Sequence, residues 1–250
     1  MEHAITEFLK YAEPFKQYGE KIDLKINHTL RVKEICGLIA ESLNLTEEEV
    51  NIAIICGLLH DIGRFEQWKR YRTYSDRDSI DHGNLGYTIL KKNNDITKYL
   101  DNREYDSSVL KSVKYHNKFR VPKNMTKKER MYTDITRDAD KIDILHLYQI
   151  GEFSIDDENS KLSDEVYQNL LNKKLVDKKD VKTKADRTAI RLGFIFDMNY
   201  QYSFQYIKEN KLIEDTLEKQ IKETKNKDLK KQLKEIQKVI NNEIEERLTC

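Results

Sequence analysis

The chain has 250 residues, with 45 Lys or Arg against 44 Asp or Glu and a formal net charge of +1. No overall basic charge therefore points to nucleic acid or an anionic membrane. Eight Gly and two Pro are too few for the many tight turns of a sandwich or barrel, so the composition predicts an all-α chain.

A length of 250 residues suits one large domain or one domain with an appendage. No run of ~18 apolar residues is long enough to span a membrane, and the N-terminus lacks a secretory stretch. Cys36, Cys56 and Cys250 are widely spaced with no CxxC, which fits a reducing, cytoplasmic setting. Residues 1–18 are predicted as one short amphipathic helix through Ile5, Phe8, Leu9 and Ala12. A second helix runs from Ile26 to about Leu43, with Val32, Ile35, Cys36 and Ile39 as its apolar stripe. Thr46 and Glu49 form a capping box that opens a third, almost wholly apolar to Leu59. Residues 64–83 show no regular apolar period and are predicted as a long loop with short helical turns. Further helices are expected around Leu85–Leu90, around Val109–His116 and over 128–150. Residues 151–185 turn polar and are expected to be loop or mobile insertion, and 191–207 to form a core-covering helix. In the tail, Leu229, Leu233, Ile236, Ile240 and Ile244 recur at helical steps, which suits packing on the domain or self-association. The resulting division is 1–150 as the main helical domain and 151–250 as a charged insertion with C-terminal helices packed on it.

The chemistry lies in the histidines. His28 opens a helical stretch, His60 precedes Asp61 at the end of the most apolar helix, His82 begins a helix and His116 ends one. Asp140 lies inside the helical TRDADKIDIL. Imidazole and carboxylate suit Fe, Mn, Co, Ni, Zn or Mg, and helix ends can aim several ligands at one point in a bundle. Each residue alone reads more readily as structural, and His3 and His146 are left so. A buried His-Asp pair, however, needs a partner or a metal.

The stretches HTLRV, GLLHDIGRFEQ, IDHGNLGYTIL, KYHNK and RDADKIDIL, in that order over about residues 20–150, resemble the HD-domain superfamily of metal-dependent phosphohydrolases. Within it, the text is most similar to small stand-alone HD proteins with HDIGRFEQ. It is more loosely similar to HD-type diadenosine tetraphosphate hydrolases and to the HD-GYP cyclic-dinucleotide phosphodiesterases. No GYP follows the HDIGR block, which argues against a cyclic-dinucleotide enzyme. Gly63 and Arg64 stand where guanosine tetraphosphate hydrolases have an acidic pair.

The resemblance implies an HD-type helical bundle and one or two divalent ions. His28, His60, Asp61 and Asp140 match the ligands of the common metal site, and His82 and His116 the two extra histidines of the binuclear branch. Asp61 would bridge, with His28, His60 and Asp140 on one ion and His82 and His116 on the other; alternatively His82 and His116 bind substrate phosphate. Asp61 is the expected catalytic residue together with Arg64, which falls where the HD-GYP branch has a phosphate-contacting Lys. Arg31, Arg64 and Lys141 are candidate substrate-phosphate holders. The basic stretch Lys69, Arg70, Arg72 and Arg77 is a further candidate for holding the anion but is better explained by solvation. Asp78 or Asp81 could orient a metal-bound water or protonate a leaving group, but both are better explained by helix capping or by orienting a ligand histidine. Trp68 and Tyr71 suit either stacking on a nucleobase or closing the loop on the core.

The expected function is hydrolysis of a phosphate ester of a nucleotide or other small phosphorylated metabolite, by monoesterase or diesterase chemistry. The alternative is a regulatory domain that binds metal and nucleotide without turnover. Self-association is left open.

Overall fold

The computed structural model describes residues 1–151 and 160–249; it contains helices and no strand among them. The chain divides into two compact units, Met1–Asp140 and Lys141–Cys250.

The first unit begins with α1 (Glu2–Ala12). Pro14 removes a donor, so residues 13–18 continue as a 3-10 turn rather than completing one helix over 1–18. Leu9, expected inside, is exposed; Ala4, Phe8 and Ala12 form the buried side. Next comes α2 (Glu20–Ser42), which starts six residues earlier than Ile26 and buries Val32, Ile35, Cys36 and Ile39. The capping box of Thr46 and Glu49 opens α3 (Glu47–Leu59), buried from Ile52 onward on nearly every side. α2 and α3 form the most extensive helix pair of the unit.

The stretch expected to be loop contains α4 (Ile62–Tyr71). Its inward positions are Ile62, Gly63, Phe65 and Gln67, only two of them large and apolar, with Arg64 and Glu66 between. That leaves no readable apolar period, although the buried Gln67 is fully bonded to Arg64, Asp76, Ser79 and Ile80. α5 (His82–Lys91), α6 (Asp106–Tyr115) and α7 (Lys127–Gln149) match their expected positions. Asp81 caps α5 by accepting from Asn84 N–H, as one of its expected roles required.

Two glycines permit the close crossings that set up the site. A Cβ on Gly63 would lie 2.2 Å from the His82 carbonyl oxygen and 2.7 Å from Gly86 N, so α4 and α5 touch backbone to backbone. A Cβ on Gly83 would lie 2.7 Å from Asn117 Oδ1 and 2.9 Å from the Lys114 carbonyl, which brings α5 equally close to the end of α6.

In the second unit, the polar stretch 151–185 contains α8 (Asp164–Leu171), short but anchored by buried Val166 and Leu170; residues 152–159 lie outside the described ones. The segment 191–207 is not one helix. It comprises the end of α9 (Lys184–Leu192), a 3-10 turn over 193–197 and the start of α10 (Gln201–Glu209), separated by extended Met198 and Tyr200. α11 (Leu212–Glu223) follows. α12 (Lys227–Thr249) buries Leu229, Leu233, Ile236, Ile240 and Ile244, and packs against α8, α10 and α11. No helix among the described residues is long and apolar enough to cross a membrane.

Candidate metal centre

Helices α2 to α7 supply one cluster, all of whose residues lie within Met1–Asp140. His28 comes from the middle of α2, and His60-Asp61 from the junction of α3 and α4. His82 comes from the first residue of α5, His116 from the end of α6 and Asp140 from α7. The four histidines and Asp61 are buried, and the Asp140 side chain nearly so.

The donor atoms fall into two sets that share Asp61. In the first, His28 Nε2 lies 3.2 Å from His60 Nε2 and 3.2 Å from Asp140 Oδ1. Asp61 Oδ2 lies 3.5 Å from His28 Nε2 and 3.6 Å from His60 Nε2. In the second, His82 Nε2 lies 3.0 Å from His116 Nε2, and Asp61 Oδ1 lies 3.3 Å from the former and 3.7 Å from the latter. Bonds of ~2.1 Å to one ion put neighbouring donor atoms roughly 3.0–3.4 Å apart, close to these spacings. Two overlapping trios, His28 with His60 and Asp140, and His60 with Asp61 and His116, bring their donor atoms within 4.8 Å of one another.

Hydrogen bonding on the far side of the rings decides what these nitrogens can do. His60 Nδ1 is 2.6 Å from the Gly57 carbonyl oxygen and His116 Nδ1 is 2.8 Å from that of Val113. A carbonyl only accepts, so each Nδ1 carries the proton and donates it. The neutral ring then presents a bare Nε2 lone pair to the cluster. Burial drives the His60 pKa down to about 4 and that of His82 to about 3, so both rings are neutral at pH 7. His82 Nδ1 in turn donates to the Asp76 carboxylate at 2.7 Å, which gives His82 the same orientation and raises its basicity as a ligand. The facing Nε2 lone pairs of His82 and His116, 3.0 Å apart, repel each other unless a cation lies between them. The donor set therefore fits divalent metal.

Asp61 is held ionised. Burial alone would raise its pKa, but the positive charges of Lys25, with Nζ 2.8 Å from Oδ2, and of Arg64 hold it well below the usual carboxylate range. Asp140 is likewise lowered against the effect of burial, chiefly through its hydrogen bond with His28.

Asp76 is a neighbour of the cluster that reading the sequence passed over in favour of Asp78 and Asp81. Besides His82, its carboxylate accepts from Arg64 Nη1 at 3.0 Å, Gln67 Nε2 at 3.0 Å and Asn117 Nδ2 at 3.1 Å. The SDRDSIDHG stretch held three acids before His82, and spacing alone did not single out this one. Arg137 was also missed. It donates to the carbonyls of His116 at 3.0 Å and Lys118 at 2.5 Å, and so pins the end of α6 that carries His116.

The expected phosphate holders fare differently. Arg64 reaches the cluster, its Nε 3.4 Å from Asp61 Oδ1, while its Nη1 is committed to Gln67, the Tyr74 carbonyl and Asp76. Arg31 is half-buried on α2, one turn past His28. Lys141 lies in the second unit, where it donates to the Asp197 carboxylate at 2.5 Å and to its backbone carbonyl at 2.7 Å. Lys69 and Arg70 pair with Glu66 on the surface, and Arg72 lies over the Tyr18 ring. Trp68 donates to the Tyr18 carbonyl and stacks on Tyr74, while Tyr71 is exposed.

No curated protein and no solved structure matches the chain. Residues 26–148 match the family model described as the HD domain, and domains of this family are commonly metal-dependent hydrolases. This stretch contains every residue of the cluster, the His60-Asp61 pair among them. Through residues 26–148 the chain belongs to the HD-domain superfamily.

Proposed function

We propose that the protein is a metal-dependent phosphohydrolase with a two-ion centre, acting on a phosphate ester of a nucleotide or another small phosphorylated metabolite. The observation that carries this reading is the sharing of Asp61, with Oδ2 among His28 and His60 and Oδ1 among His82 and His116. Two divalent ions held there supply Lewis acidity to phosphate oxygens and lower the pKa of a water into the neutral range. His28, His60 and Asp140 would hold one ion and His82 and His116 the other, with Asp61 offering an oxygen to each set. The carbonyls of Gly57 and Val113 and the carboxylate of Asp76 keep three of the rings in the ligating tautomer. Arg64, braced by Asp76 and Gln67, directs a guanidinium N–H toward the same point and offsets the charge of Asp61. The domain reading that accompanies this is an HD unit over about 1–150 with a second helical unit following it.

The test is turnover of p-nitrophenyl phosphate and bis-p-nitrophenyl phosphate by protein stripped with chelator and reloaded with Mn, Fe, Co, Ni, Zn or Mg. The expected result is metal-dependent hydrolysis of at least one ester that Asp61→Ala abolishes. Metal and nucleotide binding with no hydrolysis of any ester, or of a panel of phosphorylated metabolites, would instead make the protein a binding domain.

A further inference from the structure

Lys25 touches the centre, and nothing in the ligand set accounts for it. Its Nζ is 2.8 Å from Asp61 Oδ2, the oxygen that also faces His28 and His60. Its side chain is only 18% exposed. It lies one turn before His28 on α2, so the same helix face presents both. Among the described residues Asp61 is its one hydrogen-bond partner; its other contact is the Tyr74 ring, 5.5 Å from Nζ, and the Tyr74 hydroxyl is tied back to the Lys21 carbonyl.

We propose that Lys25 is a substrate-binding residue that takes a phosphoryl oxygen of the ligand once metal occupies Asp61. This rests on the two-ion hydrolase reading above and names a subsite within it. The charge balance argues for it. With Asp61 and Asp140 as its only carboxylates, the ligand set does not neutralise two divalent ions. Lys25 adds a further positive charge at the shared oxygen, and a buried cation needs an anionic partner. A tetrahedral phosphate dianion bound at the ions supplies that partner. Lys25 suits this exchange better than Arg64 does. Arg64 Nη1 is fixed by three oxygens, whereas the ammonium of Lys25 sits on a flexible four-carbon stem and leaves one acceptor for another at little cost in geometry.

The test measures binding rather than turnover. Mn-loaded wild type, Lys25→Met and Lys25→Arg are titrated calorimetrically with inorganic phosphate after their Mn content has been counted. The proposal expects Lys25→Met to keep the wild-type Mn content and to bind phosphate at least about tenfold more weakly, with Lys25→Arg within about threefold of wild type. Wild-type phosphate affinity in Lys25→Met overturns it. So does loss of Mn and phosphate together in Lys25→Met, which would make Lys25 a support for Asp61. A second measurement needs no variant: amine labelling of the wild-type holoprotein, read by mass spectrometry, should find Lys25 protected by phosphate, and unchanged labelling overturns the proposal. If wild type takes up no Mn at all, the hydrolase reading fails first and this subsite fails with it.

Discussion

Two sets of buried polar side chains, one in each unit, are arranged in opposite ways. In the second unit, Asp186 accepts from the backbone N–H groups of Ser163, Lys182 and Thr183 at 2.9 Å each. Thr216 donates back to the Leu212 carbonyl, and Gln232 both accepts from Leu162 N–H and donates to its carbonyl. Donor meets acceptor in each case, and the groups serve the fold. In the first unit, His60, His82 and His116 tie off their donors on the far side of the ring, so that beside Asp61 the acceptor of His82 faces that of His116. Buried polarity alone therefore does not mark a site. The mark is buried polarity whose nearest neighbours cannot satisfy it, because that arrangement is stable only with a cation added.

The contrast breaks most sharply at Asp61. Asp61→Ala removes the shared carboxylate and should lower turnover by about a thousandfold or more, with loss of bound metal measured by elemental analysis. Asp76→Asn comes next. It frees His82 from its fixed tautomer while sparing every ligand, and should weaken metal affinity by about 10–100-fold in a chelator competition. Asp186→Ala sharpens the comparison from the other side. It removes the Asp186 side-chain half of the α9 capping box, and with it the acceptor of three backbone N–H groups, and should cost about 1–2 kcal/mol in denaturant unfolding, with metal content unchanged. A pH titration of the stripped protein should have an effect of similar size over a single pH unit. His60 and His82 have folded pKa values of about 4 and about 3 against an ordinary 6.5, so the unfolded chain binds more protons below pH 6.5. Stability should hold above pH 6.5 and fall as the pH drops from there toward about 4. Between pH 6.5 and 5.5 the loss should be about 1 kcal/mol per histidine by denaturant midpoint.

The part of this legible in sequence follows from how each residue announces itself. The stripes of α2, α6 and α12 and the capping box of α3 repeat over several turns, so their helices were readable. α4 and α8 were not, since each rests on two or so buried apolar side chains, and in α4 a buried Gln67 takes the place of a third. Among the residues of the centre, histidines at helix ends stand out by type, and all six expected ligands come together within the first unit. Lys25, Asp76 and Arg137 are common residue types whose roles depend on which backbone passes nearby, and close crossings such as that at Gly63 are set by tertiary packing. The spacing of Lys25, one turn before His28, was the one available signal.

The central claim is that Asp61 is shared between two ions. The most direct measurement is an anomalous difference map from crystals grown with Mn. The account predicts two peaks flanking the Asp61 carboxylate, one among His28, His60 and Asp140 and the other beside His82 and His116. A single peak, with His82 and His116 touching no metal, would contradict it.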